Sequence, residues 1–87
     1  MSDYKVYILK SEVTSKYYIG CTFDLERRVL EHNNGRVKST KSGRPWLLVY
    51  KELFTDLSNA RVRESQIKGW KKRIMIERLI NNKGAFV

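Results

Sequence analysis

Cysteine, acidic residues and long apolar runs are scarce in this chain of 87 residues, and each shortage excludes something. With Cys21 as the only cysteine, the chain can form neither an internal disulfide nor a metal site of several thiolates. No apolar run approaches the roughly 20 residues that a membrane-spanning helix needs. The first residues also lack the apolar stretch of a signal peptide. We therefore expect a cytoplasmic protein that does not enter a membrane.

The shortage of acidic residues leaves a large positive charge. Nine Asp and Glu stand against 18 Lys and Arg, and the formal net charge is +9. In so small a chain this excess attracts polyanions such as DNA, RNA or an anionic membrane surface. We favour a nucleic acid over the alternative of a basic protein whose charge serves only solubility.

Length and composition predict a single domain over residues 1–87. Hydrophobic residues make up 41% of the chain, which is enough for one modest core. The chain is too short for two independent cores. No repeat, low-complexity tract or linker divides it.

Local patterns predict the order β-β-α-β-α-α. Residues 6–9 and 17–21 are apolar or β-branched runs separated by a polar turn, as in a β-hairpin. Asp24 is a suitable N-cap for a first helix that ends near Gly35. The third strand, residues 46–50, is almost continuously apolar, so we expect it at the centre of the sheet.

Residues 36–45 are predicted to form a polar loop, and two helices follow the third strand. The second helix is expected from about residue 59 to residue 68, and an amphipathic third helix from Trp70 to about residue 82. The apolar side of the third helix should consist of Ile74, Ile76, Leu79 and Ile80. The fold class is therefore α+β, a small three-stranded, mostly antiparallel sheet flanked by about three helices.

A set of residues on these elements resembles the pattern of GIY-YIG nucleases. They are Lys5-Val6-Tyr7 on the first strand, Tyr18-Ile19-Gly20 on the second, Arg28 and His32 on the first helix, and Glu64 on the second helix. The resemblance covers residues 4 to about 82 and implies the GIY-YIG endonuclease fold. The chain is similar to the small stand-alone bacterial branch, which is related to the endonuclease half of the UvrC repair protein.

The resemblance implies a metal-dependent endonuclease that hydrolyses phosphodiester bonds in DNA. Glu64 would hold one divalent metal ion, Mg²⁺ or Mn²⁺, and Arg28 would brace the scissile phosphate. Tyr18 would orient water or phosphate. Either Tyr7 or His32 would accept the proton of the attacking water, and the sequence leaves this choice open. Two departures from the family pattern are Lys-Val-Tyr in place of Gly-Ile-Tyr, and Cys21 where some relatives have a lysine.

Two groups of basic residues are expected to contact phosphates, with binding that weakens steeply with salt. They are Arg36, Lys38, Lys41 and Arg44 in the loop, and Lys68, Lys71, Lys72 and Arg73 near the third helix. Ser39 and Thr40 could add hydrogen bonds to phosphate. Few obvious base readers accompany them, which favours recognition of a branched or damaged shape over a sequence. DNA is favoured over RNA as the partner, and a homodimer or a larger repair complex stays open.

Other interpretations stay open as well. The chain could be a catalytically silent DNA- or RNA-binding module, or a small basic subunit of a nucleoprotein assembly that docks through Ala85-Phe86-Val87. Tyr7 and Tyr18 could be ordinary strand aromatics, His32 a helix-end residue, and Glu64 the i,i+4 partner of Lys68. Trp46 and Trp70 are expected in the core rather than as stacking platforms for bases.

Overall fold

A three-stranded antiparallel sheet forms the middle of the computed structural model, which describes residues 3–82. The strands are β1 (Tyr4–Ser11), β2 (Tyr17–Thr22) and β3 (Trp46–Phe54). The helices are α1 (Leu25–Asn33), α2 (Leu57–Lys68) and α3 (Arg73–Asn81), and a 3₁₀ helix spans Lys38–Gly43. The predicted α+β class and the order β-β-α-β-α-α are confirmed.

Strand β1 lies at the centre of the sheet, and the prediction that β3 lies there is wrong. Residues 6–9 of β1 are all buried, because β1 is paired on both edges and covered on both faces. In β3, Leu47, Leu48 and Leu53 are 50%, 41% and 60% exposed. With only three strands, β3 is left at an edge where the neighbouring helices do not cover all of it. An apolar run thus indicates a strand, not its place in the sheet.

The two faces of the sheet are covered by different elements. Helices α2 and α3 contribute to the larger core, whose buried residues are Val6, Ile8, Ile19, Tyr50, Ala60, Ile67 and Ile76. Helix α1 contributes to the smaller core on the opposite face, formed by Tyr7, Leu9, Leu25 and Trp46 with Tyr18 and Val29 packed against it. Because neighbouring strand residues point to opposite faces, Tyr7 and Tyr18 share the face of α1.

The helices begin close to their predicted positions. Asp24 caps α1 by accepting a hydrogen bond from the Arg27 amide, as predicted. Asp56 caps α2 in the same way, so this helix begins two residues before the expected start. Helix α3 begins at Arg73 rather than at Trp70, and Ile74 is 47% exposed, so Ile74 does not belong to its buried side.

Residues 36–45 are more ordered than the predicted polar loop, because the 3₁₀ helix within them is tied to the sheet and to α1. The Ser11 hydroxyl donates to the Gly43 carbonyl at 2.6 Å. The Asn33 side chain accepts from the Trp46 amide at 2.6 Å and donates to the Trp46 carbonyl at 3.1 Å. The Trp46 indole donates to the Thr40 carbonyl at 2.7 Å. These bonds hold the 3₁₀ helix against the end of α1.

Three further predictions concern single features. Trp46 is buried and Trp70 packs against the larger core, which confirms their assignment to the core. Within residues 3–82, no helix is long and apolar enough to cross a bilayer. The predicted docking segment Ala85-Phe86-Val87 lies outside the described residues.

Candidate functional site

The Tyr7 side chain occupies space that Gly20 leaves open. Tyr7 is 1% exposed and is the direct cross-strand partner of Gly20. A Cβ atom on residue 20 would overlap the Tyr7 ring and its hydroxyl oxygen. Gly20, the last residue of the Tyr18-Ile19-Gly20 motif, therefore makes room for Tyr7 on the neighbouring strand, because any side chain at position 20 would displace the Tyr7 ring.

The Tyr7 hydroxyl meets His32, which lies in the last turn of α1 and is 0% exposed. The phenolic oxygen is 3.0 Å from His32 Nε2. The other ring nitrogen, Nδ1, is 2.8 Å from the Thr40 hydroxyl oxygen. That hydroxyl lies 3.3 Å from the Val37 carbonyl. A continuous chain of hydrogen bonds thus runs from Tyr7 through His32 and Thr40 to the backbone.

Tyr18 packs beside this pair and is less buried. Its ring centroid is 4.8 Å from that of His32 and 6.4 Å from that of Tyr7. The Tyr18 and His32 rings meet edge to face, a favourable geometry for aromatic groups. Because Tyr18 is only partly buried, part of this side chain stays accessible to a ligand.

Burial keeps both members of the pair uncharged. Burial raises the pKa of Tyr7 to about 12, although the nearby Arg28 guanidinium acts in the opposite direction. Burial lowers the pKa of His32 to about 4, and the positive charge of Arg28 lowers it further. Near neutral pH, His32 is therefore a neutral imidazole, in which one ring nitrogen can accept a hydrogen bond.

Arg28, rather than Arg27, faces this cluster, in agreement with the helical phase. The Arg28 side chain is 37% exposed against 68% for Arg27, and it lies close enough to Tyr7 to influence the pKa of that phenol. Its guanidinium is held by Glu31, with 2.8 Å between Nη1 and Oε1. Glu31 is not among the residues predicted for the site, although its i,i+3 spacing from Arg28 indicates such a contact.

Glu64 lies on α2 with a side chain that is 19% exposed. Its charge contributes to the raised pKa values of Tyr7 and Cys21, in both cases after the larger effect of burial. The ion pair with Lys68, which the sequence offers as the alternative role of Glu64, is formed, with 2.8 Å between Nζ and Oε2. In the part of the chain that the structure describes, no group of three or more His, Cys, Asp and Glu side chains could hold a metal. A single carboxylate suits Mg²⁺ or Mn²⁺, which keep several water ligands.

The eight predicted phosphate-binding residues are all exposed. Two of them form ion pairs, because Lys68 contacts Glu64, and Arg73 contacts Glu77 at 2.7 Å and stacks over Tyr17. A third, Arg44, donates from Nε to the Lys41 carbonyl at 2.8 Å. The loop group lies on and around the 3₁₀ helix that carries Thr40, and so next to His32: Arg36, Lys38, Lys41 and Arg44. The other group lies at the end of α2 and the beginning of α3, which pack on the opposite face.

Apart from this cluster, a cleft of about 740 Å³ lies between α1 and β3. Much of its lining is apolar, and it includes Lys5, Phe23, Val29, Leu30, Leu48 and Lys51. None of the five candidate catalytic residues lines it. Two carboxylates, Asp24 and Glu26, also line the cleft. Because none of the residues of the family pattern lies there, we place the candidate site at the Tyr7–His32 pair instead.

The chain matches a known class of catalytic domain. Residues 3–79 match the family model described as the GIY-YIG catalytic domain, and the chain therefore belongs to the GIY-YIG family. The resemblance inferred from the sequence is confirmed. Membership supports a nuclease-type function with nucleic acid as the class of substrate.

Within that class the chain is similar to UPF0213 proteins. It is 40% identical over 74 residues to one from Staphylococcus saprophyticus, covering 84% of this chain and 89% of the relative. It is 44% identical over 70 residues to one from Syntrophus aciditrophicus, covering 78% and 79%. The solution NMR structure of a UPF0213 protein from Bacillus halodurans is 31% identical, with a TM-score of 0.61 and coverage of 94% and 86%. These names state no activity.

Proposed function

We propose that this protein is a metal-dependent endonuclease that hydrolyses phosphodiester bonds in DNA. The observation that carries the proposal is the buried contact between the Tyr7 hydroxyl and His32 Nε2, with Arg28 beside it. Membership of the GIY-YIG family supports the reaction class. The roles of Arg28, Tyr18 and Glu64 are those that the resemblance to GIY-YIG nucleases implies, and the burial and charge of each residue support them.

Proton removal is shared between Tyr7 and His32 in this proposal. With its pKa near 12, Tyr7 is ionised in only about one molecule in 10⁵ at neutral pH, so the phenol alone is a poor base. A neutral imidazole lies within hydrogen-bond distance. Tyr7 can therefore take a proton from the attacking water while its own proton passes to His32 Nε2. Tyr7 contacts the water, and His32 receives the proton.

Arg28 and Tyr18 act on the phosphate. The planar guanidinium of Arg28 offers several donors to the oxygens on which negative charge grows. Glu31 holds that guanidinium from one side. Because the Arg28 side chain is partly exposed, its guanidinium can still reach a phosphate. Tyr18 lies on the less buried side of the cluster, where its hydroxyl orients water or phosphate.

Glu64 is the residue that would hold the single divalent ion, Mg²⁺ or Mn²⁺. Its carboxylate is a hard oxygen donor, and a site with one protein ligand leaves room for water and phosphate oxygens. A bound ion of this kind neutralises charge on the phosphate and on the departing oxygen. Lys68 contacts the same carboxylate, so it would compete with an ion for Glu64.

Binding of the substrate relies on the exposed basic residues. The loop group beside His32 grips phosphates near the scissile bond, whereas Lys71, Lys72 and Arg73 extend the contact along the backbone. Contacts of this kind carry no sequence information, so we propose a branched or damaged DNA structure as the target. A homodimer or a larger repair complex would supply further selectivity.

A binding module without turnover is the second candidate. The observation that favours it is the ion pair between Lys68 and Glu64, because it occupies the only residue assigned to the metal. In such a module the same basic surface would hold DNA or RNA, and no product would form.

The test is a cleavage assay on labelled single-stranded, duplex, flapped and branched DNA and on RNA, with Mg²⁺, Mn²⁺ or EDTA. The wild type is compared with Glu64→Ala and with Glu12→Ala, a control that removes an exposed acid from the β1–β2 turn. We expect metal-dependent product from the wild type and from Glu12→Ala, and none from Glu64→Ala, which still binds DNA. Cleavage by Glu64→Ala contradicts the proposal. Salt-sensitive binding without product from any substrate favours the binding module.

A further inference from the structure

We infer that Thr40 is a positioning residue for His32, whose side chain fixes the imidazole tautomer in which Nε2 is free to receive the proton of Tyr7. The inference rests on the proposed nuclease function and deepens it. From the sequence, Thr40 is expected at most to bond a phosphate. It is 1% exposed, so its hydroxyl lies inside the protein rather than on the surface that meets DNA.

The directions of the hydrogen bonds follow from the last acceptor in the chain. We assign the single proton of the Thr40 hydroxyl to the Val37 carbonyl, which lies 3.3 Å away and also accepts from the Thr40 amide at 3.1 Å. The lone pairs of the same oxygen then accept from His32 Nδ1, which must carry a proton. In a neutral imidazole the other nitrogen, Nε2, is consequently an acceptor. The Tyr7 hydroxyl therefore donates to His32.

The contact with Thr40 also suits the state after proton transfer. An imidazolium carries a proton on both nitrogens, and Nδ1 still donates to the Thr40 oxygen. The ring can accept and release a proton at Nε2 without turning. Because a hydroxyl adds no negative charge, it orients His32 without raising the affinity of the ring for protons, and His32 stays neutral at rest.

The position of Thr40 does not depend on its hydroxyl alone. The Trp46 indole donates to the Thr40 carbonyl at 2.7 Å, and Ser11 holds Gly43 in the same 3₁₀ helix. Substitution of the side chain by one of the same shape can therefore remove the contact with His32 and leave the backbone in place. Thr40→Val makes that change, and Thr40→Ser restores the hydroxyl.

Imidazole ¹⁵N NMR tests the inference directly, because His32 is the only histidine in the chain and its signals need no further assignment. In the wild type at neutral pH we expect a protonated Nδ1 and an unprotonated Nε2, and the same in Thr40→Ser. In Thr40→Val we expect the signals to shift towards the other tautomer. A proton on Nε2 in the wild type overturns the inference, even where a variant fails to fold. An unchanged tautomer in folded Thr40→Val overturns it as well.

Single-turnover cleavage separates this inference from the proposed function. We expect Thr40→Val to lose about 10- to 100-fold in the rate of cleavage with little change in DNA binding, as for other residues that orient a reacting group. Thr40→Ser should restore most of the rate. Equal cleavage rates in Thr40→Val and Thr40→Ser overturn the proposed role of Thr40 but do not contradict the nuclease function. An inactive wild type contradicts the proposed nuclease function. The NMR measurement of the His32 tautomer then tests the role of Thr40 by itself.

Discussion

The phenolic oxygen of Tyr7 lies 3.0 Å from Nε2 of His32, although 25 residues separate the two in the chain. Strand β1 places the tyrosine, and the last turn of α1 places the histidine. Both side chains are almost completely buried, so their contact belongs to the packing of the smaller core. Changes in that packing should therefore alter the chemistry of the pair.

Gly20→Ala should disturb this contact from the neighbouring strand. The new Cβ atom would overlap the Tyr7 ring, and overpacking of this kind costs about 1–3 kcal/mol of stability. Chemical denaturation measures the loss, and the cleavage assay should show reduced activity because the hydroxyl of Tyr7 moves. Gly69→Ala is the control, because a Cβ there makes only ordinary contacts at 3.4 Å. Equal stabilities of the two variants would contradict the packing of Tyr7 on Gly20.

His32 should make the protein less stable in acid. Its pKa is about 4 in the folded chain against an ordinary value of 6.5, so the unfolded chain binds the proton more tightly. The stabilisation is complete above about pH 6.5 and is lost as the pH falls towards 4, and the gap between the two pKa values corresponds to roughly 3 kcal/mol. Denaturation curves across this range measure the effect. His32→Gln, which does not titrate, should lose less stability, and an identical pH dependence would contradict the low pKa.

The position of the basic residues should matter as well as their number. For duplex DNA, the slope of log K against log salt becomes shallower by about 0.9 for each phosphate that the protein no longer neutralises. We expect a larger change in slope for Lys38→Ala/Lys41→Ala, beside His32, than for Lys71→Ala/Lys72→Ala at the beginning of α3. Each double variant removes two positive charges. Equal changes in slope would mean that DNA does not lie preferentially along the 3₁₀ helix.

Lys68→Met should bind divalent metal more tightly in the absence of DNA. The substitution removes the cation that lies 2.8 Å from the Glu64 carboxylate. The lysine side chain is 51% exposed and that of Glu64 is 19% exposed. An ion pair worth about 1 kcal/mol corresponds to a gain of about fivefold in metal affinity. Titration of Mn²⁺ or Mg²⁺ followed by calorimetry measures it, with Lys72→Met as the control. Weaker binding by Lys68→Met would show that the lysine supports the metal site instead.

Local signals account for the parts of the fold that the sequence predicted. Asp24 marks the beginning of α1 because its carboxylate satisfies a free amide of the first turn. Helical phase separates Arg28 from Arg27, because a helix has only one inner face. The family pattern is what singles out the tyrosine of β1 and the glutamate of α2 as candidates. Their spacing alone would not have distinguished them from ordinary strand and helix residues.

The role of Thr40 depends on contacts that no local pattern contains. It lies in a stretch of lysine, serine and glycine that is typical of a solvated loop. Thr40 and Gly43 are nevertheless buried, because Ser11 bonds Gly43 across 32 residues and Asn33 bonds Trp46 across 13. Likewise, the central place of β1 is set by the pairing of strands and not by the composition of any one of them.

A double-mutant cycle on Tyr7 and His32 tests the proposed relay most directly. Single-turnover cleavage of a labelled DNA substrate is measured for the wild type, Tyr7→Phe, His32→Gln and the double variant. We expect each single substitution to reduce the rate by about 10²–10⁴-fold. Because the two residues pass one proton, the double variant should match the slower single variant within about twofold. Effects that multiply in the double variant, or cleavage by Tyr7→Phe at the wild-type rate, would contradict the relay.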